Sequence, residues 1–302
     1  MDNIVDSERD VRLDGSKRSQ RYFEHAVANH WDPYADIDDE LLAADRQKLI
    51  DRGLSEAEFE EFMLMAAVFG AGEEAVTEDL GPLMLVLDDI NDQMFVSSQI
   101  FDEAMHTQWF DRYWKEVIQP VADELGMAIP DPTDDAFFND SFLSLFEKNE
   151  RAMARLLEEN TPETQAKAVC NYHLIIEGVL AQTAYYGLES AFGPEEYSID
   201  NPTLDGLIEG MTYIRADEAR HVGFGMDRVQ RLLSMGVDES VIHDVMNENY
   251  PFIVGILEEF DRLVDGHDLV AYASEKHQHR IDSITGAPEE FPAIDEMIET
   301  NT

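Results

Sequence analysis

The apolar residues of this chain recur at helical spacing along most of its length and divide it into four long runs with shorter ones around them. Residues 16–30 and 38–52 read as short helices separated by a turn at Trp31-Asp32-Pro33-Tyr34, and Gly53 ends the second. Ser55-Glu56-Ala57-Glu58 has the Ser-x-x-Glu form of a capping box and opens the first long run, 59–88, where Pro82 should kink the helix or end it early. After Asp88-Asp89-Ile90-Asn91-Asp92 a second long run continues to about Gly126, followed by a Pro/Asp-rich linker at 129–134 and a connecting helix over 141–159. Thr161-Pro162 is an N-cap with proline at the first helical position. It opens the third long run, which Gly193-Pro194 stops after Phe192. The fourth spans 204–235 with Gly236 as its C-cap, and helices over 239–264 and 269–281 complete the body. No credible series of period-two strands is present, and no Gly-rich phosphate loop follows a strand. The expected fold is all-α, with one domain over 1–302, a four-helix bundle core at about 55–236, additional helices, and loose ends at 1–15 and from 286 onward.

Chemistry sits on the same four runs. Phe101-Asp102-Glu103-Ala104-Met105-His106 in the second and Ala216-Asp217-Glu218-Ala219-Arg220-His221 in the fourth each place a Glu three residues before a His. Three helical positions turn about 300°, so carboxylate and imidazole share one face. The third run carries Glu177 inside Leu174-Ile175-Ile176-Glu177-Gly178-Val179-Leu180, where a solitary carboxylate calls for a cation. The first carries Glu73 beside Glu74, and the pattern does not separate the two. One Glu from each of two helices and a Glu-x-x-His from each of two others is the recipe for a dinuclear carboxylate-bridged metal site in a four-helix bundle. Four carboxylates and two imidazoles suit first-row ions such as iron or manganese, and Cys170, the single cysteine, leaves no thiolate site and no intramolecular disulfide. Plainer readings stand beside this one. In so acidic a chain Glu103 can precede His106 by chance, Glu218 can belong to a buried ion cluster with Arg220 or Arg215, and Glu73 or Glu74 can lie on a solvated face. Ala216, Gly223 and Gly225 permit close helix approach, while Tyr185-Tyr186 and Phe101, Trp109 and Phe110 read as core.

Charge narrows the classes of partner. With 21 Lys plus Arg against 65 Asp plus Glu, the formal net charge is -44, which excludes nucleic-acid binding through the phosphate backbone and disfavours an acidic partner. Apolar content is an ordinary 44%, so the excess reads as a solvated acidic shell of the kind found in a high-salt cytoplasm. No uninterrupted apolar stretch is long enough to span a bilayer. The first residues lack a cationic start followed by an apolar run, so a reducing cytosol is the expected location.

Taken together, Glu73, Glu103-x-x-His106, Glu177 and Asp217-Glu218-Ala219-Arg220-His221 resemble, in matching order over about 59–235, the six-ligand pattern of the ribonucleotide reductase small-subunit superfamily of ferritin-like dimetal proteins. Two positions depart from a typical reductase: Glu73 stands where most have Asp, and Phe110 stands four residues after His106 where the radical tyrosine would be. The last tyrosine is Tyr272, so the tail lacks the tyrosine that passes a radical to a large subunit. The stretch Gly72-Glu73-Glu74-Ala75-Val76-Thr77 is similar instead to the branch called ligand-binding oxidases, which hold a mixed manganese/iron site and a long-chain fatty acid.

That resemblance implies metal ligation by Glu73, Glu103, His106, Glu177, Glu218 and His221, an ether link between Val76 and Tyr172, and a further tyrosine near the site at Tyr185. It implies an Asp217 that orients a ligand histidine, here the outer nitrogen of His106, and a homodimer that uses dioxygen for two-electron oxidation. A di-iron centre, a tyrosine-lacking reductase subunit and a non-catalytic metal store are the alternatives. One implication strains regular geometry. Tyr172 precedes Glu177 by five residues, about 140° away in an ordinary helix, so a π-bulge or the partner helix must make up the difference. His173, four residues before Glu177, faces the site better and is a candidate extra ligand, though core or a supporting place suits it more.

Overall fold

The computed structural model describes residues 13–194 and 201–285, and the loose ends expected of the sequence fall largely outside them. The helices are α1 (Arg18–Asn29), α2 (Asp39–Arg52), α3 (Glu56–Val86), α4 (Ile90–Tyr113), α5 (Gln119–Leu125), α6 (Asp140–Glu158), α7 (Pro162–Val169), α8 (Gln182–Phe192), α9 (Asp205–Ser234), α10 (Glu239–Leu257) and α11 (Gly266–Thr285). π-helical stretches continue α4 into α5 at Trp114–Ile118 and join α7 to α8 at Cys170–Ala181. No strand occurs among the described residues. Capping chemistry explains several boundaries. The Ser55 hydroxyl accepts from the Glu58 N–H while the Glu58 carboxylate accepts from the Ser55 N–H, and Thr161 with Thr164 builds a second reciprocal cap ahead of Pro162. At the end of α9, Gly236 takes φ 101°, which lets the Val237 N–H reach the Leu232 carbonyl and the Gly236 N–H reach Leu233.

Four elements enclose the centre: α3, α4, the α7–π–α8 segment and α9. The short connection at 87–89 folds α4 back along α3, and α9 packs on both α4 and the π stretch. Glycine allows the tightest crossings. A Cβ at Gly225 of α9 would stand 2.2 Å from the His173 Cβ, and one at Gly210 would stand 2.2 Å from the Trp109 ring. Gly225 is one of the small residues expected to allow this, whereas nothing in the spacing singled out Gly210. The remaining helices pack around this core, with α1 against α4 and α9, α2 against α9, α6 against α3, and α10 and α11 against the π stretch.

Three expectations need correction. Pro82 does not end α3, which continues to Val86 because Leu80, Leu83 and Leu87 are fully or almost fully buried, and because the carbonyl deprived of a partner belongs to exposed Glu78. The helix expected over 239–264 stops at Leu257, where the chain turns around the carboxylate of Glu61. Phe101 is 48% exposed, since it sits two residues before Glu103 and so about 200° round α4 from the inward face, while Trp109 and Phe110 are buried as expected. The third run carries a π stretch in its middle, the first of the two ways left open for Tyr172 to reach the site.

Candidate metal centre

All six residues expected as ligands are buried and converge between the four central elements: Glu73 from α3, Glu103 and His106 from α4, Glu177 from the π stretch, Glu218 and His221 from α9. Glu74, its neighbour's rival in the sequence, is exposed. The side chains form two groups of four, Glu73, Glu103, His106 and Glu218 on one side and Glu103, Glu177, Glu218 and His221 on the other, with ligand atoms inside each group within 4.8 Å of one another. Glu103 and Glu218 belong to both. That sharing is the geometry of two neighbouring cation positions with two carboxylates between them.

Each imidazole turns Nδ1 inward and Nε2 outward. His106 Nδ1 lies 3.2 Å from Glu103, 3.3 Å from Glu73 and 3.8 Å from Glu218, and His221 Nδ1 lies 3.2 Å from Glu103, 3.5 Å from Glu177 and 3.7 Å from Glu218. On the outer side, His106 Nε2–H donates to Asp217 at 3.1 Å, as expected from the sequence. His221 Nε2–H donates to Asp102 at 3.2 Å, which the sequence reading missed. The signal was present: both motifs read Asp-Glu-x-x-His, and the Asp of each helix holds the imidazole of the other. Arg220 bridges the two aspartates through one guanidinium nitrogen, 3.0 Å from Asp102 and in close contact with Asp217. The buried ion cluster considered for Glu218 therefore forms on the acids beside the ligands, and Arg215 pairs with Glu189 instead.

Further hydrogen bonds fix the remaining members. Trp31 Nε1–H donates to Asp217 at 2.8 Å, and its ring stacks on Tyr213 with centroids 5.0 Å apart. Gln99 donates to Glu177 at 2.8 Å and accepts from His173 Nε2–H at 3.2 Å, so His173 supports the centre through an amide and takes no place in either group of ligand atoms. Neither Trp31 nor Gln99 stood out in the sequence, because each acts across a helix boundary that no local spacing records. The Tyr172 hydroxyl donates to Glu103 at 2.8 Å. The π stretch makes this possible: its i→i+5 hydrogen bonding widens the turn, so residues five apart come close to one face. Val76 lines the cavity beside Glu73, and Tyr185 is buried with its hydroxyl unpartnered among the described residues.

Burial and mutual repulsion set the protonation of this cluster when no cation is present. Burial lifts Glu73 to about 8 against the opposing pull of His106, and lifts Glu177 well above the carboxylate range, with Glu218 adding to it. Burial raises Glu218 as well. Glu103 moves the other way, because His221 and His106 outweigh its burial. Both imidazoles are held well above their usual range: burial opposes this, but Glu73 prevails at His106 and Glu103 at His221. Asp217 falls to about 2, since the His106 hydrogen bond and the Arg220 charge overcome its burial, while burial and the nearby His221 push His173 down to about 3. The site thus stores protons where it could hold cations. The donor set fits a pair of ions on a further count: Glu103 Oε2, Glu177 Oε2, Glu218 Oε2 and His221 Nδ1 are buried and have no hydrogen-bond partner among the described residues.

An apolar cavity adjoins the centre. Glu73, Glu103, Glu177 and Glu218 form its floor, and Val76, Phe69, Ile176 and Leu180 are among its walls. No helix among the described residues is long and apolar enough to cross a membrane.

No protein-family model matches the chain. Solved structures do. A tyrosine-to-phenylalanine variant of an R2-like ligand-binding oxidase with aerobically reconstituted Mn/Fe cofactor is 28% identical, with a TM-score of 0.76 over 90% of this chain and 95% of that one. A valine-to-isoleucine variant, also with aerobically reconstituted Mn/Fe cofactor, is 26% identical with a TM-score of 0.78 over 94% of this chain and 99% of that one. A glycine-to-leucine variant with a non-activated Mn/Mn cofactor is 27% identical at a TM-score of 0.77 over 90% of this chain and 95% of that one. Fold, near-complete mutual coverage and a buried cluster that can hold two ions agree, and by them the chain fits the ferritin-like R2-like family and is similar to its ligand-binding oxidases.

Proposed function

We propose that this protein is a dimetal oxidase that uses dioxygen for two-electron oxidation, with manganese and iron as its ions and a long-chain fatty acid or similar apolar carboxylate as its ligand. The observation that carries the reading is the pair of four-residue groups sharing Glu103 and Glu218 at the floor of an apolar cavity. Glu73 and His106 would hold one ion, Glu177 and His221 the other, and Glu103 and Glu218 both. Bound there, the ions would supply the redox electrons that dioxygen needs.

The chain's own residues do the rest. Asp217 and Asp102 fix the tautomer of His106 and His221 by accepting from Nε2–H, which leaves each Nδ1 lone pair directed at the cluster. Arg220 pairs with both aspartates and fixes their positions for that task. Gln99 orients Glu177, and Tyr172 orients Glu103. The apolar walls exclude water and receive a hydrocarbon tail, leaving a carboxylate head at the floor. Val76, Tyr172 and Tyr185 line or adjoin the same space, and we assign Val76 and Tyr172 as partners in an ether link. A valine C–H and the tyrosine O–H would be lost and one C–O bond gained, with two electrons and two protons passing to dioxygen. The chain's acidic surface, its single buried cysteine and the R2-like fold support a homodimer in a salty, reducing cytoplasm.

Peptide mass mapping tests the reading. After anaerobic loading with manganese and iron and exposure to air, the Val76 and Tyr172 peptides are expected joined, with loss of two hydrogens. Two bound ions and dioxygen uptake with the peptides still separate would move the assignment toward a tyrosine-lacking reductase subunit. Reversible metal release without dioxygen use beyond metal oxidation would make the protein a metal store.

A further inference from the structure

The floor of the cavity is the metal centre, and its outer end is built by a different device. Along α3 the lining residues run outward from Glu73 through Gly72, Phe69 and Val68 to Met65, eight residues or about 12 Å. One turn further out stands Glu61, 5% exposed. Its carboxylate accepts four main-chain N–H groups in succession: Oε2 from Asp261 at 2.9 Å and Arg262 at 2.8 Å, Oε1 from Leu263 at 2.7 Å and Val264 at 3.3 Å. No cationic side chain pairs with it among the described residues, so main-chain dipoles alone satisfy this charge.

The four N–H groups belong to the turn 258–265 between α10 and α11, and that turn faces the cavity. Leu257, Phe260 and Leu269, at its entry, within it and just beyond it, all line the space. The turn is also closed on itself. Gly266 N–H donates to the Phe260 carbonyl at 3.1 Å, and a Cβ at Gly266 would lie 2.5 Å from that same oxygen. The Asp265 side chain accepts from the His267 N–H at 2.8 Å and caps α11. On the opposite wall, Gly187 of α8 leaves room for Leu269, whose side chain comes within 3.1 Å of where a Cβ would be.

We propose that the turn 258–265, pinned by Glu61, is the stopper at the outer end of the apolar cavity, and that Phe260 sets the length of hydrocarbon tail the cavity takes. The inference rests on the reading of the cavity as a site for an apolar carboxylate. Ligand length is then fixed by the separation of two anchored ends, the carboxylate floor and the Glu61-held turn. Loosening the second end leaves the first intact.

The test uses the metal-loaded full chain and a series of saturated fatty acids from lauric to behenic acid, with retention and exchange followed by native mass spectrometry. Phe260→Ala opens space at the outer end without touching the latch, and is expected to retain longer acids than the parent. Glu61→Gln keeps the side chain's volume but turns an amide N–H₂ toward main-chain donors. It is expected to exchange bound acid about tenfold faster, the factor that corresponds to one charge-assisted hydrogen bond, with metal content unchanged. Parent-like length limits and exchange rates in both variants would overturn the proposal. Should Glu61→Gln fail to fold, Phe260→Ala decides alone. If the parent retains no acid of any length, the ligand reading itself is wrong and the stopper falls with it.

Discussion

Replacing Gly225 by alanine places a methyl group where the structure has no room for one. The new Cβ would lie 2.2 Å from the His173 Cβ and 2.8 Å from its Cγ, 1.2 and 0.6 Å inside the 3.4 Å at which ordinary contact begins. His173 cannot yield by swinging its ring, because the obstacle is its own Cβ, fixed to the backbone of the π stretch. The two elements must move apart instead. Overpacking of this kind costs about 1–3 kcal/mol, and the upper end applies where backbone has to shift. Alanine returns roughly 1 kcal/mol through its better helix propensity, which leaves a net loss of about 2 kcal/mol. For a chain of this size that corresponds to a melting point lower by about 3 °C. The site should register the same movement. Gly225 lies one turn beyond His221 on α9, and the π stretch carries Glu177, so the ion position built from these two residues is the one pulled open. Circular dichroism melts of the metal-loaded proteins, paired with metal analysis after dialysis against a weak chelator, read both effects. A variant that melts with the parent and keeps both ions equally well would show that the close crossing is not what holds Glu177 against α9.

Four further outcomes follow from the site's geometry and the chain's charge. Asp102→Asn should lower metal affinity about 10- to 100-fold, because His221 loses its charged acceptor and Arg220 one of two counter-charges; titration against a competing chelator measures this, and parent-like affinity would remove Asp102 from the supporting role assigned to it. Metal-free protein should lose stability as pH rises from the ordinary carboxylate range to about 8, since the buried Glu73 proton is held more tightly folded than unfolded and is given up only as the pH passes that value. For the same reason, metal loading near neutral pH should release protons into weakly buffered solution, and loading without proton release would contradict the protonation described here. At low ionic strength the charge of -44 should destabilise the fold and loosen the ions, with recovery on adding salt, whereas a melting point independent of salt would end the high-salt reading.

Periodicity was enough to determine where the long helices lie and to single out five of the six residues that meet, because helical spacing puts Glu103 with His106 and Glu218 with His221 on single faces, and because a solitary Glu177 in an apolar run has no inexpensive alternative to a cation. The five-residue gap between Tyr172 and Glu177 left a π-bulge or the partner helix to make up the angle, and the chain adopts π geometry there. Tertiary structure alone decided the rest. Which of Glu73 and Glu74 turns inward depends on the rotation of α3 against its neighbours, and Asp102, Trp31 and Gln99 acquire their roles from helices 70 to 190 residues away, beyond the reach of any local pattern. Pro82 inside α3 and the early stop of α10 have the same origin. Buried leucines hold the first through a missing hydrogen bond, and a carboxylate at Glu61 gathers the four N–H groups that turn the second, so that packing and long-range hydrogen bonding overrule what local propensity would choose.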